Sequence, residues 1–340
     1  MRKLNVLITG STGYMGVQLI KLLSKHKNIN IKYLCGNLSI GKNISNYDKE
    51  LKYKKFPKIV KFNKSYLSNV DIVFSALPNG ESQLLSKHLL HKNRLIDLAA
   101  DFRLTDSKQY KKWYKIDHHA KKNISNSIYA LPEINKKYLK KYKIIACPGC
   151  YPTSILLPLL PLLKKNIISE KNIIVDSKSG YSGAGRSVHK KYENKNLYES
   201  LSAYGMSSHR HNSEIEQEIA KICKKKFQIT FTPHLSPMFR GILSTIYINV
   251  PKKINAGKIF NSLKKVYKNQ PFIKFAKFNT AISTNNVIKT NNCLISVCKS
   301  KYKDKVIILS AIDNLIKGGS GQAIQNMNII YNFPETRGLI

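Results

Sequence analysis

The chain has 340 residues, and 58 basic side chains against 19 acidic ones leave a formal charge of +39. This length predicts two domains at roughly 100–200 residues each, and the charge raises polyanions as partners. Only seven of the basic residues are arginines, however, the lysines are scattered among Asn, Ile and Tyr, and no zinc-finger spacing, RNA-recognition signature or basic heptad region occurs, so the charge reads as background and no specific nucleic-acid partner is expected.

Residues 4–9, "LNVLIT", read as a buried strand, and the apolar run behind the basic tip is too short for a signal peptide. The turn "GSTGYMG" follows, with Gly10, Gly13 and Gly16 opening a helix and Ser11, Thr12, Tyr14 and Met15 between them. Glycines at this spacing let the backbone approach a pyrophosphate, and the helix N-terminus offers free N–H groups to it. The second strand, "IKYLCG", leads into Asn37, Ser39 and Lys42 with no acid. An NAD site places Asp or Glu there for the ribose 2′-hydroxyl; its absence favours NADP. "DIVFSAL", "LIDLAA" and "KIIAC" are further buried strands, with "GESQLLSKHLL" as a helix between them. Strand and helix alternating in this way predict an α/β, Rossmann-type doubly wound parallel sheet. Arg103 follows the strand "LIDLAA", at the strand end that faces the cofactor cleft in such sheets.

The stretch "ACPGCYPTSILLPLL" decides the function. Pro152 suits the first turn of a helix, so Cys150 falls at a helix N-terminus, whose dipole favours the thiolate and makes it a nucleophile. A zinc site formed with Cys147, His209 and His211 is disfavoured because HxH is not the usual ligand spacing. A thioredoxin-like pair would not follow five strands of a nucleotide fold. Inert burial is the common fate of a cysteine, but Gly149 and the flanking prolines point to a specially shaped turn. Six cysteines in a chain this long make no disulfide scaffold, which fits a reducing, cytoplasmic setting. The longest apolar run, "ILLPLLPLL", has nine residues and two prolines, far below the roughly 18 that cross a bilayer; no membrane partner is expected.

After about residue 150 the strands lengthen: "NIIVDSKSG", "FQITFTP", "GILSTIYINV", "NCLISVCKS" and "KVIILSAID", with helices expected at 153–164, 213–225 and 257–268. This predicts a second α+β domain with a mostly antiparallel sheet. Between them "YGMSSHRHNSEIEQEI" carries His209, Arg210 and His211 ahead of a helix capped by Asn212 or Ser213. The histidines offer an acid/base and the arginine an anion clamp. In an extended loop the two imidazoles would point to opposite sides, so that only one reaches the thiol. Arg186, in "SGYSGAGR", supplies another cation, and "KGGSGQAIQNMNII" is a glycine turn followed by a helix.

The motifs "ITGSTGYMG", "ALPNG", "DLAADFRL", "YALPEI", "CPGCYPT", "DSKSGYSGAGR", "YGMSSHRHNSEI", "FTPHLSPMFRGILSTIY" and "DNLIKGGSGQAIQNMN" together resemble the N-acetyl-gamma-glutamyl-phosphate reductases, relatives of aspartate-semialdehyde dehydrogenase. The resemblance spans nearly the whole chain. It implies an NADP(H)-dependent acyl-phosphate reductase of arginine biosynthesis, assembled as a homo-dimer or tetramer, with Cys150 as nucleophile, His209 and His211 as its histidine motif and no metal. Arg103, Arg186 and Arg210 are the candidates for the substrate's phosphate and α-carboxylate, where forked donors suit oxyanions. Pro78, Ser182 and Gly183 are further cofactor-binding candidates, and the resemblance implies that Asn314 and Gly318 lie near the nicotinamide. It further implies an NADP-binding domain over residues 1–149, to which the helix of 318–340 returns, and a catalytic and dimerisation domain over 150–317. Sister reductases of aspartyl phosphate or of a carrier-linked aminoadipyl phosphate share this chemistry. One departure stands out: the family usually has Asn where this chain has Cys147.

Overall fold

The computed structural model describes residues 2–186 and 199–340. The chain folds as two compact units, Met1–Pro148 with Gly319–Ile340, and Gly149–Gly318.

In the first unit β1 (Leu4–Thr9), β2 (Ile29–Cys35), β3 (Ile59–Val60), β4 (Ile72–Ser75), β5 (Arg94–Asp97), β6 (Ser127–Tyr129) and β7 (Ile144–Ala146) form one sheet in the order β3-β2-β1-β4-β5-β7-β6. Every pairing in it is parallel. A parallel sheet is covered on both faces, so its strands are apolar throughout. Val6, Ile8, Phe74 and Ile96 pack on one side with α1 (Tyr14–Leu23) and the last helix of the chain, α8 (Gly321–Ile330). Leu7, Val73 and Leu95 pack on the other with Leu85 of α2 (Glu81–Ser86). The strand order reverses at β1 and β4, and the glycine turn leaves the C-terminal end of β1 at that switch point, where doubly wound sheets bind ligands. α3 (Ser107–Tyr114), capped by the Asp106 side chain, and the single-turn α4 (Pro132–Asn135) complete this unit. Neither announces itself by apolar periodicity.

The second unit opens with α5 (Cys150–Lys164). Its sheet contains β8 (Ile174–Gly180), β9 (Ser202–Ala203), β10 (Thr230–Ser236), β11 (Ile242–Asn249), β12 (Ile273–Phe275), β13 (Cys293–Lys299) and β14 (Lys305–Ile312), in the order β12-β13-β14-β11-β8-β10-β9. The β12–β13 and β8–β10 pairings are parallel and the others antiparallel. Helices α6 (His211–Cys223) and α7 (Ala256–Val266) pack beside α5. The interior of α5 holds Pro158 and Pro161. Proline 161 has no N–H for the carbonyl of Leu157; the Tyr267 hydroxyl donates to that carbonyl instead, at 2.6 Å. One of the two carbonyls that the internal prolines leave without a helical donor is thus satisfied from α7's C-terminal end.

Both α5 and α6 start two or three residues earlier than the sequence pattern predicts, at Cys150 and His211. The N–H groups of the first turn have no intrahelical acceptor, so Pro152 is tolerated inside that turn and does not mark its start.

Candidate active site

The glycine turn is built by close approach. Gly10 has φ +68°, and a β-carbon there would lie 2.2 Å from the Ala76 carbonyl oxygen; one on Gly16 would lie 2.3 Å from the oxygen of Gly10. Only glycine folds this way at both positions. Beside the turn a pocket of about 390 Å³ is lined by Gly10, Thr12, Asn37, Ser39, Pro78 and Glu81, with Leu38, Phe62 and Leu85 as apolar walls. A backbone cradle at a helix start, next to an apolar slot, fits a dinucleotide. Ser11 turns inward, donating to the Cys35 carbonyl at 3.0 Å, and the buried Ser39 accepts from the Tyr47 hydroxyl at 2.7 Å. Gly13 caps α1, with Tyr14 and Met15 in its first turn. Lys42 is exposed and does not line the pocket.

Cys150 is the first residue of α5, with Gly149 as its N-cap in extended conformation. Against Gly149 lies His211: a β-carbon at 149 would be 2.4 Å from the imidazole Nε2. Glu214, one turn along α6 and fully buried, accepts the Gly149 N–H through Oε2 at 2.9 Å, while its Oε1 lies 3.9 Å from His211 Nε2. That is too long for a hydrogen bond, but it keeps a carboxylate beside the imidazole. The pattern HxxE carries this arrangement once α6 is known to begin at His211, because positions three apart share a helix face.

The extended-loop expectation for the two histidines does not hold. Arg210 takes the helical conformation as N-cap of α6, so the chain bends and the rings meet edge to face with centroids 4.8 Å apart. His209 is enclosed by Tyr151, Tyr204 and Phe231, and its Nδ1 accepts the His211 N–H at 3.2 Å. Burial, reinforced by the Arg210 charge, pushes its pKa down to about 4. His209 is a neutral wall that shapes the start of α6. His211 is the imidazole held next to the cysteine turn.

Gly318 closes another side, where a β-carbon would lie 2.7 Å from that of Cys150. It belongs to a π-helical turn, Ile316–Ser320, and its N–H donates to the Asp313 carbonyl at 2.9 Å. Asn314 is 1% exposed, with both ends of its amide used: Oδ1 accepts from the Gly241 N–H at 2.7 Å, and Nδ2 donates to the Ser182 hydroxyl at 2.9 Å. Ser182 and Gly183 lie in the short turn Tyr181–Ala184 after β8. Asp313 ion-pairs with Arg240 at 3.1 Å. Two adjacent side chains therefore tie the turn after β8, the loop before β11 and the glycine turn next to Cys150 into one assembly.

Of the three expected substrate arginines, Arg210 is exposed and Arg186 half-buried in this second unit. Arg103, in the first, is buried and donates to the carbonyls of Cys147 at 2.8 Å and Leu98 at 2.9 Å. It fixes the backbone that leads into the cysteine turn. Cys147 is buried, its thiol pushed up to about 12 chiefly by that burial, and its sulfur lies 3.9 Å from the Asn326 amide. The six cysteines are unbridged. Among the described residues no three His, Cys, Asp or Glu side chains gather as metal ligands, and no helix is long and apolar enough to cross a membrane.

Two family models cover this chain: the semialdehyde dehydrogenase NAD binding domain over residues 5–142 and the semialdehyde dehydrogenase dimerisation domain over residues 150–314. The chain belongs to the semialdehyde dehydrogenase family. Aspartate semialdehyde dehydrogenase II from Vibrio cholerae shares the fold, with TM-score 0.72 and 15% identity over 98% of this chain and 99% of that one. An N-acetyl-gamma-glutamyl-phosphate reductase from Thermoanaerobacter pseudethanolicus is 43% identical over 98% of this chain and 96% of its own length. A probable chloroplastic reductase of the same name from Arabidopsis thaliana is 39% identical over 98% of this chain and 83% of its own. Within the family, the branch is that of the N-acetyl-gamma-glutamyl-phosphate reductases.

Proposed function

We propose that this chain reduces N-acetyl-L-glutamyl 5-phosphate to N-acetyl-L-glutamate 5-semialdehyde, releasing phosphate and consuming NADPH, in arginine biosynthesis, by way of a thioester on Cys150. The observation that carries the reading is the joint placement of Cys150 at the tip of α5 and of His211 Nε2 against Gly149, in a chain that is 43% identical to a reductase of that name.

The Cys150 sulfur attacks the acyl carbon, the bond from that carbon to the phosphate oxygen breaks, and phosphate leaves. The N–H groups at the very start of α5, ahead of Pro152, point along the helix axis toward the nucleophile's end and stabilise the oxyanion of each tetrahedral species. Bound NADPH supplies the hydride that brings the thioester to the aldehyde level. His211 takes the thiol proton in the first half and passes it to the departing phosphate. After the hydride arrives, the tetrahedral alkoxide collapses with cleavage of the C–S bond, freeing the aldehyde, and the imidazole, reprotonated from water, gives its proton to the released Cys150 thiolate. Glu214 holds Gly149 by its amide and keeps its other carboxylate oxygen beside the imidazole. His209 takes no proton and positions His211. Arg186 and Arg210 meet the phosphate and the α-carboxylate, where forked donors are suited to oxyanions; Arg103 acts through the backbone of Cys147.

The unit Met1–Pro148 with Gly319–Ile340 is the NADP-binding domain, its glycine turn taking the pyrophosphate. The lack of a carboxylate at the end of β2 supports NADPH over NADH, with Asn37 and Ser39, which line the pocket, beside the 2′-phosphate. The unit Gly149–Gly318 is the catalytic and dimerisation domain. Ile174 and Tyr247, exposed neighbours on β8 and β11, support a dimer or tetramer formed through that sheet. The unbridged cysteines are in keeping with the cytoplasm.

Phosphate-dependent oxidation of the N-acetylglutamate, aspartate and carrier-linked aminoadipate semialdehydes, measured side by side by NADPH formation, tests the assignment. The first is expected to dominate. Cys150→Ser should abolish turnover while NADPH still binds, and Cys147→Asn should leave it nearly whole. Substantial turnover by Cys150→Ser would refute the covalent scheme.

A further inference from the structure

Six of the seven arginines are engaged within the fold. Arg2 pairs with Asp71, Arg240 with Asp313, Arg337 with Asn28 and Arg103 with two carbonyls, and Arg186 and Arg210 have partners as well. The seventh, Arg94, opens β5 at the N-terminal edge of the parallel sheet, and its guanidinium has no hydrogen-bond or ion-pair partner among the described residues. In a chain that writes nearly all its cations as lysine, a half-buried arginine kept without an internal acceptor calls for one from outside.

Arg94 borders a cavity of about 290 Å³ lined also by His91, Lys92, Lys140, Ile330 and Tyr331. Four of these six side chains can carry positive charge and none carries negative charge. Lys92 and Lys140 reach only neutral acceptors, the Ser68 carbonyl and the Asn332 side chain. Next to Arg94, burial and then the arginine's own charge push the pKa of Lys143 down. The carboxylate nearest in effect, Asp71, is already bonded to Arg2 and to the Asn5 N–H. Burial pushes the Tyr331 phenol up to about 12, so its hydroxyl stays a donor. Crowded cations without a counter-charge are stabilised by a bound anion. The cavity is at the small end of the ligand-pocket range, and the glycine turn occupies the opposite, C-terminal edge of the same sheet, so this is not the nucleotide pocket.

We propose that this cavity is a second anion site, binding the phosphate group of a small molecule between the Arg94 fork, the Lys92 and Lys140 cations, the His91 imidazole and the Tyr331 hydroxyl. Phosphate fits better than a lone carboxylate, because its oxygens point in several directions, accepting the guanidinium bidentately and monodentate donors on the other sides.

The site is tested by isothermal titration of the full chain with inorganic phosphate, with sodium chloride adjusted to hold ionic strength constant, so that screening of the net charge does not imitate binding. Wild type is expected to bind phosphate in two classes, one of them the product site. Arg94→Gln should lose one class, or weaken it about tenfold or more, while keeping kcat and the product-inhibition constant for phosphate. Lys140→Gln, at an exposed position, should weaken the same class and serves if Arg94→Gln folds poorly. Two classes unchanged in both variants, a single class in wild type, or succinate binding there as tightly as phosphate would overturn the proposal. These results are independent of the substrate assignment, which rests on turnover alone.

Discussion

His211 Nε2 and the α-carbon of Gly149 are in contact so close that a β-carbon at 149 would stand 2.4 Å from the ring nitrogen. The N-cap glycine of the nucleophile's helix therefore sets where the imidazole rests. Gly149→Ala is expected to push the ring aside and lower kcat by about 100-fold, the scale of loss when a reacting group moves by about 1 Å. The Cys150 alkylation rate at neutral pH should fall with it, whereas the thermal midpoint should drop only as far as modest overpacking requires. A variant with kcat within a few-fold of wild type would show that His211 does not act from this position.

The burial of His209 has a pH signature. Its pKa is about 4 in the folded chain against 6.5 for the free side chain, so between those values the unfolded state holds more protons and stability rises with pH. The contribution is complete above about pH 6.5 and declines as pH falls, with about 2 kcal/mol lost by pH 5. Asp97 works in the opposite sense: burial, and then the neighbouring Asp101, raise its pKa to about 7, so its share is present at low pH and lost as pH rises through 7. Urea unfolding of wild type and His209→Phe at pH 7.5 and 5.0 separates the two. The variant should show a smaller loss on acidification; an equal loss would mean that His209 titrates as an ordinary surface histidine.

The features legible in the sequence were those written in neighbouring residues. "LNVLIT" followed by three glycines is a strand and a phosphate turn because both faces of β1 are buried and the turn needs close backbone approach. Pro152 and Gly149 place Cys150 on a helix tip to within a turn. The strands β3, β6, β9 and β12 are too short to show a period. Glu214 escapes notice because its spacing from His211 has meaning only when the helix begins at His211 itself. The bond from Asn314 to Ser182 joins residues 132 apart, a relationship that no local pattern records.

That bond separates two roles for Asn314. If the amide acts through Ser182, holding the turn of Tyr181–Ala184 against the loop that ends at Gly241, then removing either partner breaks the same contact. Ser182→Ala and Asn314→Ala should each lower kcat/KM for NADPH, and the double variant should lose little more than the worse single one, leaving a coupling of about 0.5–2 kcal/mol, as expected for residues in contact. The rate of Cys150 alkylation should respond to Asn314→Ala as well, since the π-helical turn that begins beyond Asn314 carries Gly318 to the sulfur-bearing residue. An Asn314 that touched the nicotinamide independently would give losses that add, with the thiol unaffected. Additive losses together with an unchanged alkylation rate would therefore return Asn314 to the direct cofactor contact that the family resemblance implies.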